Sequence, residues 1–566
     1  MLAKQSEIEQ NPISGAESLI DALVDHNVEM LFGYPGGAVL PIYDTLLTSS
    51  FRNILTRHEQ GAAHAAEGYA KVTGRTGVIL VTSGPGASNA ITGIADAMMD
   101  SIPLVVLTGQ VGTAAIGTQA FQELDVLSMT KSVTKANFQI RNSEEIADVL
   151  DQAFSIAQSG RKGPVVVDLP KDMMAQVNND QRGFACRSTR ACSLNQVQTQ
   201  DLDEILNQLS QSKRPLLLLG AGVSSAKAGF LAREFAHNWR LPTVSTLLGL
   251  GILENNDPLF LGMGGMHGSY AANMAFQECD FLLNIGSRFD DRLVPNPKKF
   301  APLAEIAQVD VDPQEIDKIV STQYSVVADA KSVLEYLNEQ PSKQTSKDWL
   351  KTTSQNKVTH GFKYQTDKEF LKPQEVIEEI GRITNGDATV VTDVGQHQMW
   401  VAQYYPFKRP NQLVTSGGLG TMGFGIPAAI GAKFADPDHQ VVLFVGDGGI
   451  QMTSEELEVL AVEKLNVKIV LLNNQALGMV RQWQDEFYDK RRSQTVFTHQ
   501  PDFDKLAQAY AMMYYRLNKS DNLHEKLTEI FKTEGPALIE VSIPELEQVY
   551  PMVAPGSAND EMLGLD

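Results

Sequence analysis

Apolar runs long enough for one buried strand recur along the chain, each closed by a glycine, proline or acid and followed by helical spacing. The sharpest example is 441–474, VVLFVGDGGIQMTSEELEVLAVEKLNVKIVLLNN. Residues 441–445 have the length and composition of a strand buried on both faces. Gly446-Asp447-Gly448 breaks that run, 453–464 carries Leu457, Leu460 and Ala461 on one helical face, and 467–472 is a second apolar run ending on Asn473-Asn474. The pattern predicts a right-handed βαβ unit with parallel strands. Asp447 and Asn474 then emerge at one sheet edge, where open α/β sheets bind ligands.

The same grammar runs through the first third. Helical spacing over 14–27 leads to the short strand Met30-Leu31-Phe32 and the turn Gly33-Tyr34-Pro35-Gly36-Gly37, whose backbone can approach a ligand closely. Arg57-His58-Glu59-Gln60 precedes an Ala-rich helix at 62–73, and the buried-strand run 77–82 closes on Ser83-Gly84-Pro85-Gly86 before a helix at 87–98 and a strand at 104–108. Residues 112–123 read as a loop carrying Phe121-Gln122-Glu123, and 163–170 as a strand ended by Pro170, with Lys171 just outside it. From Asp172 to about Gln198 the pattern dissolves into polar residues, as in an interdomain linker.

In the middle third, strand 216–219 runs into Gly220-Ala221-Gly222, strand 281–285 into Gly286-Ser287-Arg288-Phe289-Asp290-Asp291-Arg292, and strand 306–311 into Asp312-Pro313. A Lys-, Gln- and Ser-rich stretch over 338–368 reads as a second linker. The last third brings a helix at 373–384, strand 389–392 before Asp393-Val394-Gly395-Gln396-His397, the glycine-dense 416–425, the βαβ unit above, and a helix at 476–488 with Met479 and Trp483 four residues apart. The Pro/Gly-rich, acidic tail 550–566 reads as a loose surface segment. The resulting expectation is an α/β protein of three doubly wound parallel-sheet domains, 1–185, 195–340 and 365–550, with a tail at 551–566. No short tandem repeat is visible.

Composition narrows the functional classes. The chain has 566 residues, 43% hydrophobic, with a net charge of −21. That balance supports large cores and argues against nucleic-acid binding as the main role. Three cysteines, Cys186, Cys192 and Cys279, are too few and scattered for a disulfide framework or a zinc site. The N-terminal residues lack a signal-peptide core and no apolar run approaches bilayer length, so the expectation is a cytoplasmic protein with no membrane partner.

The chemistry starts at Asp447 and Asn474. Two oxygen-bearing side chains at one sheet edge suit Mg²⁺, which takes few protein ligands and completes its octahedron with phosphate oxygens and water. An aspartate capping a helix and an asparagine closing a turn explain the same residues more plainly. Other features are as ambiguous: Glu59 suits the first turn of a helix, Gly84-Pro85-Gly86 a tight turn, and Gly-Ala-Gly an incomplete dinucleotide fingerprint. The Arg-Asp cluster at 288–292 suits a solvated salt-bridge group, and periodicity alone makes Met479 and Trp483 a core stripe. What distinguishes the set is its combination. GDG followed by 24 residues and NN, with Arg57-His58-Glu59-Gln60, Ser83-Gly84-Pro85-Gly86, Gly220-Ala221-Gly222 and Arg288-Phe289-Asp290-Asp291-Arg292 in that chain order, resembles the catalytic subunits of acetohydroxyacid (acetolactate) synthases over nearly the whole chain.

That resemblance implies a thiamine-diphosphate-binding fold and a transferase that uses thiamine diphosphate, Mg²⁺ and FAD. Pyruvate would be decarboxylated and its two-carbon unit joined to a second pyruvate or to 2-ketobutyrate, giving 2-acetolactate or 2-aceto-2-hydroxybutyrate for branched-chain amino-acid biosynthesis. By the same resemblance, Asp447, Asn474 and the main-chain carbonyl of Ala476 hold the metal, and Gln396, His397, Gly448 and Gly449 contact the diphosphate. Met422 props the bent cofactor and Met479 lines its pocket, while Gly36, Ser83, Gln122, Gly420 and Gly446 complete the cofactor positions. Glu59, from a partner chain, shares a proton with the aminopyrimidine ring nitrogen, a task that requires a carboxylate. Arg292 matches the group that orients the acceptor carboxylate, Trp483 the acceptor selector, and Phe121, Gln122, Lys171 and Met266 the substrate channel. Gly220, Ala221, Gly222, Thr246, Leu247, His267, Gly286, Arg288, Asp290, Arg292, Asp310, Val311, Asp329 and Arg161 match positions near the flavin. The implied assembly is a homodimer or homotetramer with active sites at the dimer interface, joined by a separate small regulatory subunit. Flavin-free catabolic synthases share the outer domains but typically lack the 288–292 segment and the Met479/Trp483 pair. Pyruvate oxidase and glyoxylate carboligase are further alternatives, the latter disfavoured by Glu59, and a scaffold that has lost catalysis is disfavoured by Glu59 and Asp447 together. Gln475-Ala476-Leu477 departs from the acidic or glutamine residues many relatives carry there; the metal contact is made by backbone.

Overall fold

A computed structural model of the chain describes residues 12–178, 194–343 and 345–565. It divides into two compact units, 1–190 and 191–566. In the first, six parallel strands, β1 (Met30–Tyr34), β2 (Arg52–Leu55), β3 (Gly77–Val81), β4 (Leu104–Gln110), β5 (Ala136–Gln139) and β6 (Pro164–Pro170), are ordered β2-β1-β3-β4-β6-β5. Every residue of β3, β4 and β6 is buried, which is why these strands read as continuous apolar runs. Helices cover both faces. Gly15–Asp25 is capped by a reciprocal Ser14–Glu17 box, and the helix Glu59–Thr73 opens on the catalytic candidate itself. Two helices, Pro85–Asn89 and Ile91–Met99, stand where one was expected.

The second unit holds two more six-stranded parallel sheets. The middle one contains β7 (Pro215–Leu219), β8 (Thr243–Ser245), β9 (Phe260–Met263), β10 (Phe281–Ile285), β11 (Glu305–Asp310) and β12 (Tyr324–Val327), ordered β9-β8-β7-β10-β11-β12. Its chain-order pattern, 3-2-1-4-5-6, is that of dinucleotide-binding sheets, with a crevice where the order reverses between β7 and β10. The last sheet contains β13 (Thr389–Thr392), β14 (Leu413–Val414), β15 (Val441–Gly446), β16 (Val467–Asn473), β17 (Met513–Leu517) and β18 (Ala537–Ser542), ordered β14-β13-β15-β16-β18-β17. The first and last sheets therefore share one internal order, 2-1-3-4-6-5, with reversal points between β1 and β3 and between β13 and β15. The predicted pairing of the βαβ unit is present, running from Val441↔Val467 to Gly446↔Leu472.

Four further expectations change. The helix expected over 453–464 is reduced to 3₁₀ turns at Ile450–Met452 and Ser454–Glu456 and an α-helix at Leu457–Val462. Thr453 leaves helical backbone there, and its hydroxyl donates to the Gly423 carbonyl at 2.8 Å. Of the first linker, 179–193 lies outside the described residues; on either side the chain is structured, with the helix Lys171–Ala175, the pair Val177–Asn178 with Ile13–Ser14, and the helix Gln196–Gln211. The second linker contains the helix Lys347–Thr359. Its Trp349 is buried in the middle-sheet core and donates Nε1 to the Pro215 carbonyl at 2.9 Å. The tail is packed, not loose: Met552–Val553 pairs with Met562–Leu563, Met552 and Val553 are fully buried, and Asn559 donates to the Leu293 carbonyl at 3.1 Å. Among the described residues no helix is long and apolar enough to cross a membrane.

Candidate active site

The reversal point of the last sheet gathers the groups expected around a diphosphate. Asp393 directly follows β13, and the helix Gln396–Tyr404 starts three residues later, presenting its N-terminus as an anion site. β15 ends at Gly446, followed by Asp447; a Cβ on Gly448 would lie 2.5 Å from Leu477 Cδ2, and one on Gly449 2.5 Å from Asp393 Oδ1. At 449 a side chain would collide with a carboxylate fixed by backbone amides, whereas at 448 the tip of the Leu477 side chain would have to move. Asn474 follows β16. Its Oδ1 accepts the Ala476 N–H at 3.2 Å and its Nδ2 donates to Gln396 Oε1 at 3.3 Å. Gln396 is held further by Nε2 contacts to Gln482 Oε1 (2.8 Å) and the Glu547 carbonyl (2.9 Å).

Asp447 is buried, and burial pushes its carboxyl up to about 7. Oδ2 accepts from Gln500, whereas Oδ1 has no hydrogen-bond partner among the described residues. A bare buried carboxylate oxygen beside an asparagine oxygen with a lone pair to spare is a donor set for a hard divalent cation. The cation's charge would reverse the desolvation that holds the carboxyl up. His397 is also buried; desolvation lowers it to about 4, leaving a neutral ring whose Nε2 has no hydrogen-bond partner among the described residues. These orphaned groups fit Mg²⁺ and a diphosphate. The half-buried Met422 lies on a loop with positive φ at Gly420 (73°) and Gly423 (88°). Met479 packs against the core from the helix Gly478–Phe487.

The crevice of the middle sheet is built by the expected glycines. Gly222 donates to the Gly286 carbonyl at 3.0 Å, and a Cβ on Gly220 would lie 2.1 Å from that oxygen. Thr246 and Leu247 follow β8, Val311 follows β11, and Arg288 is half-buried on the loop after β10. The buried hydroxyls of Ser224, Ser245 and Ser287 have no hydrogen-bond partner among the described residues. Polar orphans at a dinucleotide crevice fit the flavin's phosphate and ribose groups. Three expected residues already have local work. Asp290 accepts the Arg292 and Leu293 amides (3.0 and 3.1 Å), Asp329 caps the helix Ala330–Glu339, and Asp310 accepts the Asp312 amide at 2.9 Å. His267 is buried and lowered to about 4 by desolvation.

Three expected substrate residues, far apart in sequence, meet. The Arg292 guanidinium lies 5.7 Å from the Trp483 ring centroid, its Nη1 is 4.0 Å from Met266 Sδ, and Met266 N donates to the Arg292 carbonyl at 2.7 Å. Stacking on the indole holds the guanidinium; its Nη1 also lies 3.5 Å from the exposed Asp291 carboxylate, a solvent-screened pair that an acceptor carboxylate would have to displace. The tail closes this corner, Val553 N donating to the Met266 carbonyl at 2.8 Å.

In the first unit, Glu59 is buried and accepts from Asn89 Nδ2 at 2.9 Å, while His58 caps the helix by accepting the Gln60 amide at 3.1 Å. A Cβ on Gly36 would lie 2.5 Å from Thr82, and one on Gly84 2.9 Å from the Gln122 carbonyl. Gly36, Ser83 and Gln122 therefore gather at the β1/β3 reversal. Lys171 is exposed and Phe121 is 88% exposed. Arg161 is engaged within this unit, donating to Ser101 Oγ (3.0 Å) and the Met98 carbonyl (3.3 Å).

Sequence reading missed two supports. Asp393 accepts the amides of Val394, Gly423 and Gly425 and so fixes the Met422 loop; the signal was an acid ending a buried strand before a glycine. Gln482, fully buried, bridges Gln396 to Val549, and a lone glutamine in an amphipathic helix carries no such signal.

Models of three thiamine pyrophosphate enzyme domains match the chain: the N-terminal TPP binding domain at 13–129, the central domain at 202–337 and the C-terminal TPP binding domain at 393–541. The chain is 49% identical over 558 residues to the acetolactate synthase large subunit of Lactococcus lactis subsp. lactis (strain IL1403), covering 98% of this chain and 97% of that protein. It is 42% identical to the acetolactate synthase isozyme 2 large subunit of Escherichia coli (strain K12), covering 97% and 99%. Identity to the mitochondrial acetolactate synthase catalytic subunit of Saccharomyces cerevisiae (strain ATCC 204508 / S288c) is also 42%, covering 98% and 84%.

Proposed function

Since the chain belongs to the family of acetolactate synthase large subunits, thiamine-diphosphate enzymes of branched-chain amino-acid biosynthesis, we propose that it makes 2-acetolactate and 2-aceto-2-hydroxybutyrate with the residues gathered above. Pyruvate is the donor, and pyruvate or 2-ketobutyrate the acceptor. The observation that carries this reading is the Arg292–Trp483–Met266 cluster, a cation held beside an aromatic wall and paired only with the exposed Asp291 carboxylate among the described residues.

Thiamine diphosphate, when bound, supplies the carbon nucleophile and the electron sink for decarboxylation. Asp447, Asn474 and the Ala476 carbonyl would hold Mg²⁺, with His397 and the Gly448 and Gly449 amides toward the phosphates. Gln396 would serve the same end by fixing Asn474. Glu59 would share its proton with the cofactor's ring nitrogen, and Met422, clamped through Asp393, would shape the cofactor. Arg292 orients the acceptor, and Trp483 bounds the space for its alkyl group. The middle crevice would take FAD.

The active assembly in this reading is a homodimer or larger, with Glu59 contributed by one chain and Asp447 by the other. The relatives are large subunits, which implies a small regulatory partner. A cytoplasmic setting belongs to the same proposal, although the Saccharomyces cerevisiae relative is mitochondrial. The domain limits 1–185, 195–340 and 365–550 are proposed with it. The test is a product assay on the full chain with thiamine diphosphate, Mg²⁺ and FAD, with pyruvate and 2-ketobutyrate in competition. Both acetohydroxyacids should form with release of CO₂. Acetaldehyde or acetyl phosphate as the main product would sink the reading.

A further inference from the structure

The chain that follows the helix Gly478–Phe487 folds back along the metal-side loop. Leu477 N donates to the Thr495 carbonyl at 2.8 Å, Phe497 N donates to the Gln475 carbonyl at 2.9 Å, and Ala476 and Val496 form an antiparallel bridge. The returning segment is tied to the helix as well. Thr495 Oγ1 donates to Gln484 Oε1 at 2.6 Å, and Arg492 Nε donates to Asp485 Oδ1 at 2.7 Å. At its far end Gln500 Nε2 donates to Asp447 Oδ2.

Two of the three groups read above as metal ligands are thus held by one strap, the Ala476 backbone through the bridge and the Asp447 carboxylate through Gln500. Gln500 is the one side-chain donor to this carboxylate among the described residues, and the Asp447, Ala476 and Gln475 amides also favour its ionised form; without the side-chain tie the carboxylate is freer to turn about its Cβ–Cγ bond. With Oδ2 tied, Oδ1 has one direction, and Oδ1 is the oxygen without a hydrogen-bond partner among the described residues. The amide is neutral, so it orients the anion without competing for its charge as a lysine would. Hydrogen bonds from outside the ligand set commonly set ligand direction and metal affinity in this way.

We propose that Gln500 is a positioning residue for the divalent cation, holding Asp447 Oδ2 so that Oδ1 faces the metal, and that the 495–500 strap links the order of this loop to metal binding. The proposal rests on the reading of Asp447 and Asn474 as metal ligands.

The test titrates Mn²⁺ into the full chain saturated with thiamine diphosphate and follows free Mn²⁺ by electron paramagnetic resonance. Gln500→Leu, similar in size but without a donor, should raise the Mn²⁺ Kd roughly 10- to 100-fold. Its thermal midpoint without metal should stay at the wild-type value, and turnover should recover at saturating Mn²⁺; a structural role would move the midpoint and leave turnover low. Gln500→Asn withdraws the amide by one methylene and should weaken Mn²⁺ in the same direction, which covers the case in which the leucine variant does not fold. Wild-type affinity in either folded variant overturns the proposal. Tighter binding overturns it too, because the amide would then be occupying the cation's place. Asp447→Asn in the same titration separates the two readings: unchanged Mn²⁺ affinity there removes Asp447 from the ligand set, whereas lost affinity there with normal affinity in the Gln500 variants removes only Gln500.

Discussion

Asp168, Asp393 and Asp447 all lie in or just after parallel strands and all are buried, yet their oxygens are used differently. Asp393 spends its oxygens on backbone amides and builds a loop; Asp447 leaves Oδ1 without a hydrogen-bond partner among the described residues. Asp168 accepts from Thr108 Oγ1 (2.9 Å), Gln139 Nε2 (2.9 Å) and Gln110 Nε2 (3.3 Å), all neutral donors. Desolvation outweighs those bonds and raises its carboxyl from 3.8 to about 6. Between those two values the folded chain holds a proton that the unfolded chain has released. Stability from this group is therefore full below about pH 4 and is lost as pH rises through about 6, by roughly 3 kcal/mol. Asp168→Asn keeps an acceptor for Thr108 and removes the titration. Its thermal midpoint, relative to wild type, should rise across pH 4 to 7; a constant difference over that range would remove Asp168 as a source of pH dependence.

At the level of elements, legibility mostly followed burial, with β18 the exception: five of its six residues are buried, yet no strand was expected there. β3, β4, β6, β7, β10 and β16 are buried throughout, so their apolar runs announced them. β17 was not announced, because it is an edge strand, half-exposed along most of its length. β8 and β14 are too short for a period to show. The site divided the same way. Spacing singled out Asp447 and Asn474 as candidates, and family motifs singled out Glu59 and Arg292, but Gln500 depends on a strap whose pairing no periodicity encodes. The helix Lys347–Thr359 is the largest misreading, since only Trp349 and Thr353 of its residues are buried and the rest is polar enough to pass for a linker. A true linker would tolerate Trp349→Ala. Here the change opens a cavity in the middle-sheet core and frees the Pro215 carbonyl, so it should cost about 3–5 kcal/mol. Chemical denaturation of the full chain measures that loss, and a shift under about 1 kcal/mol, the range of ordinary surface changes, would return the segment to linker status.

For the whole molecule, the repeated 2-1-3-4-6-5 order is the informative feature. Two sheets of one design each bring polar loops to their own reversal point, and the proposed activating acid and the proposed metal pair are divided between them: Glu59 opens a helix beside the first sheet, and Asp447 and Asn474 follow strands of the last. In the proposed dimer each active site takes Glu59 from one chain and Asp447 from the other, so a two-fold assembly carries two equivalent sites. That arrangement makes a prediction a single-chain site would not. Glu59→Gln should lower turnover by roughly 100-fold or more, since it removes the proton-sharing carboxylate, and Asp447→Asn should do so by releasing the metal. Tag the two variants differently, co-express them and isolate the mixed dimer through both tags. One of its sites then carries both lesions, and the other pairs an intact Glu59 with an intact Asp447. The mixed dimer should therefore regain about half of the wild-type turnover, although each parent is nearly inactive. A mixed dimer as inactive as its parents would mean that each site is completed within one chain, and would remove the exchange of Glu59 between subunits from the proposal.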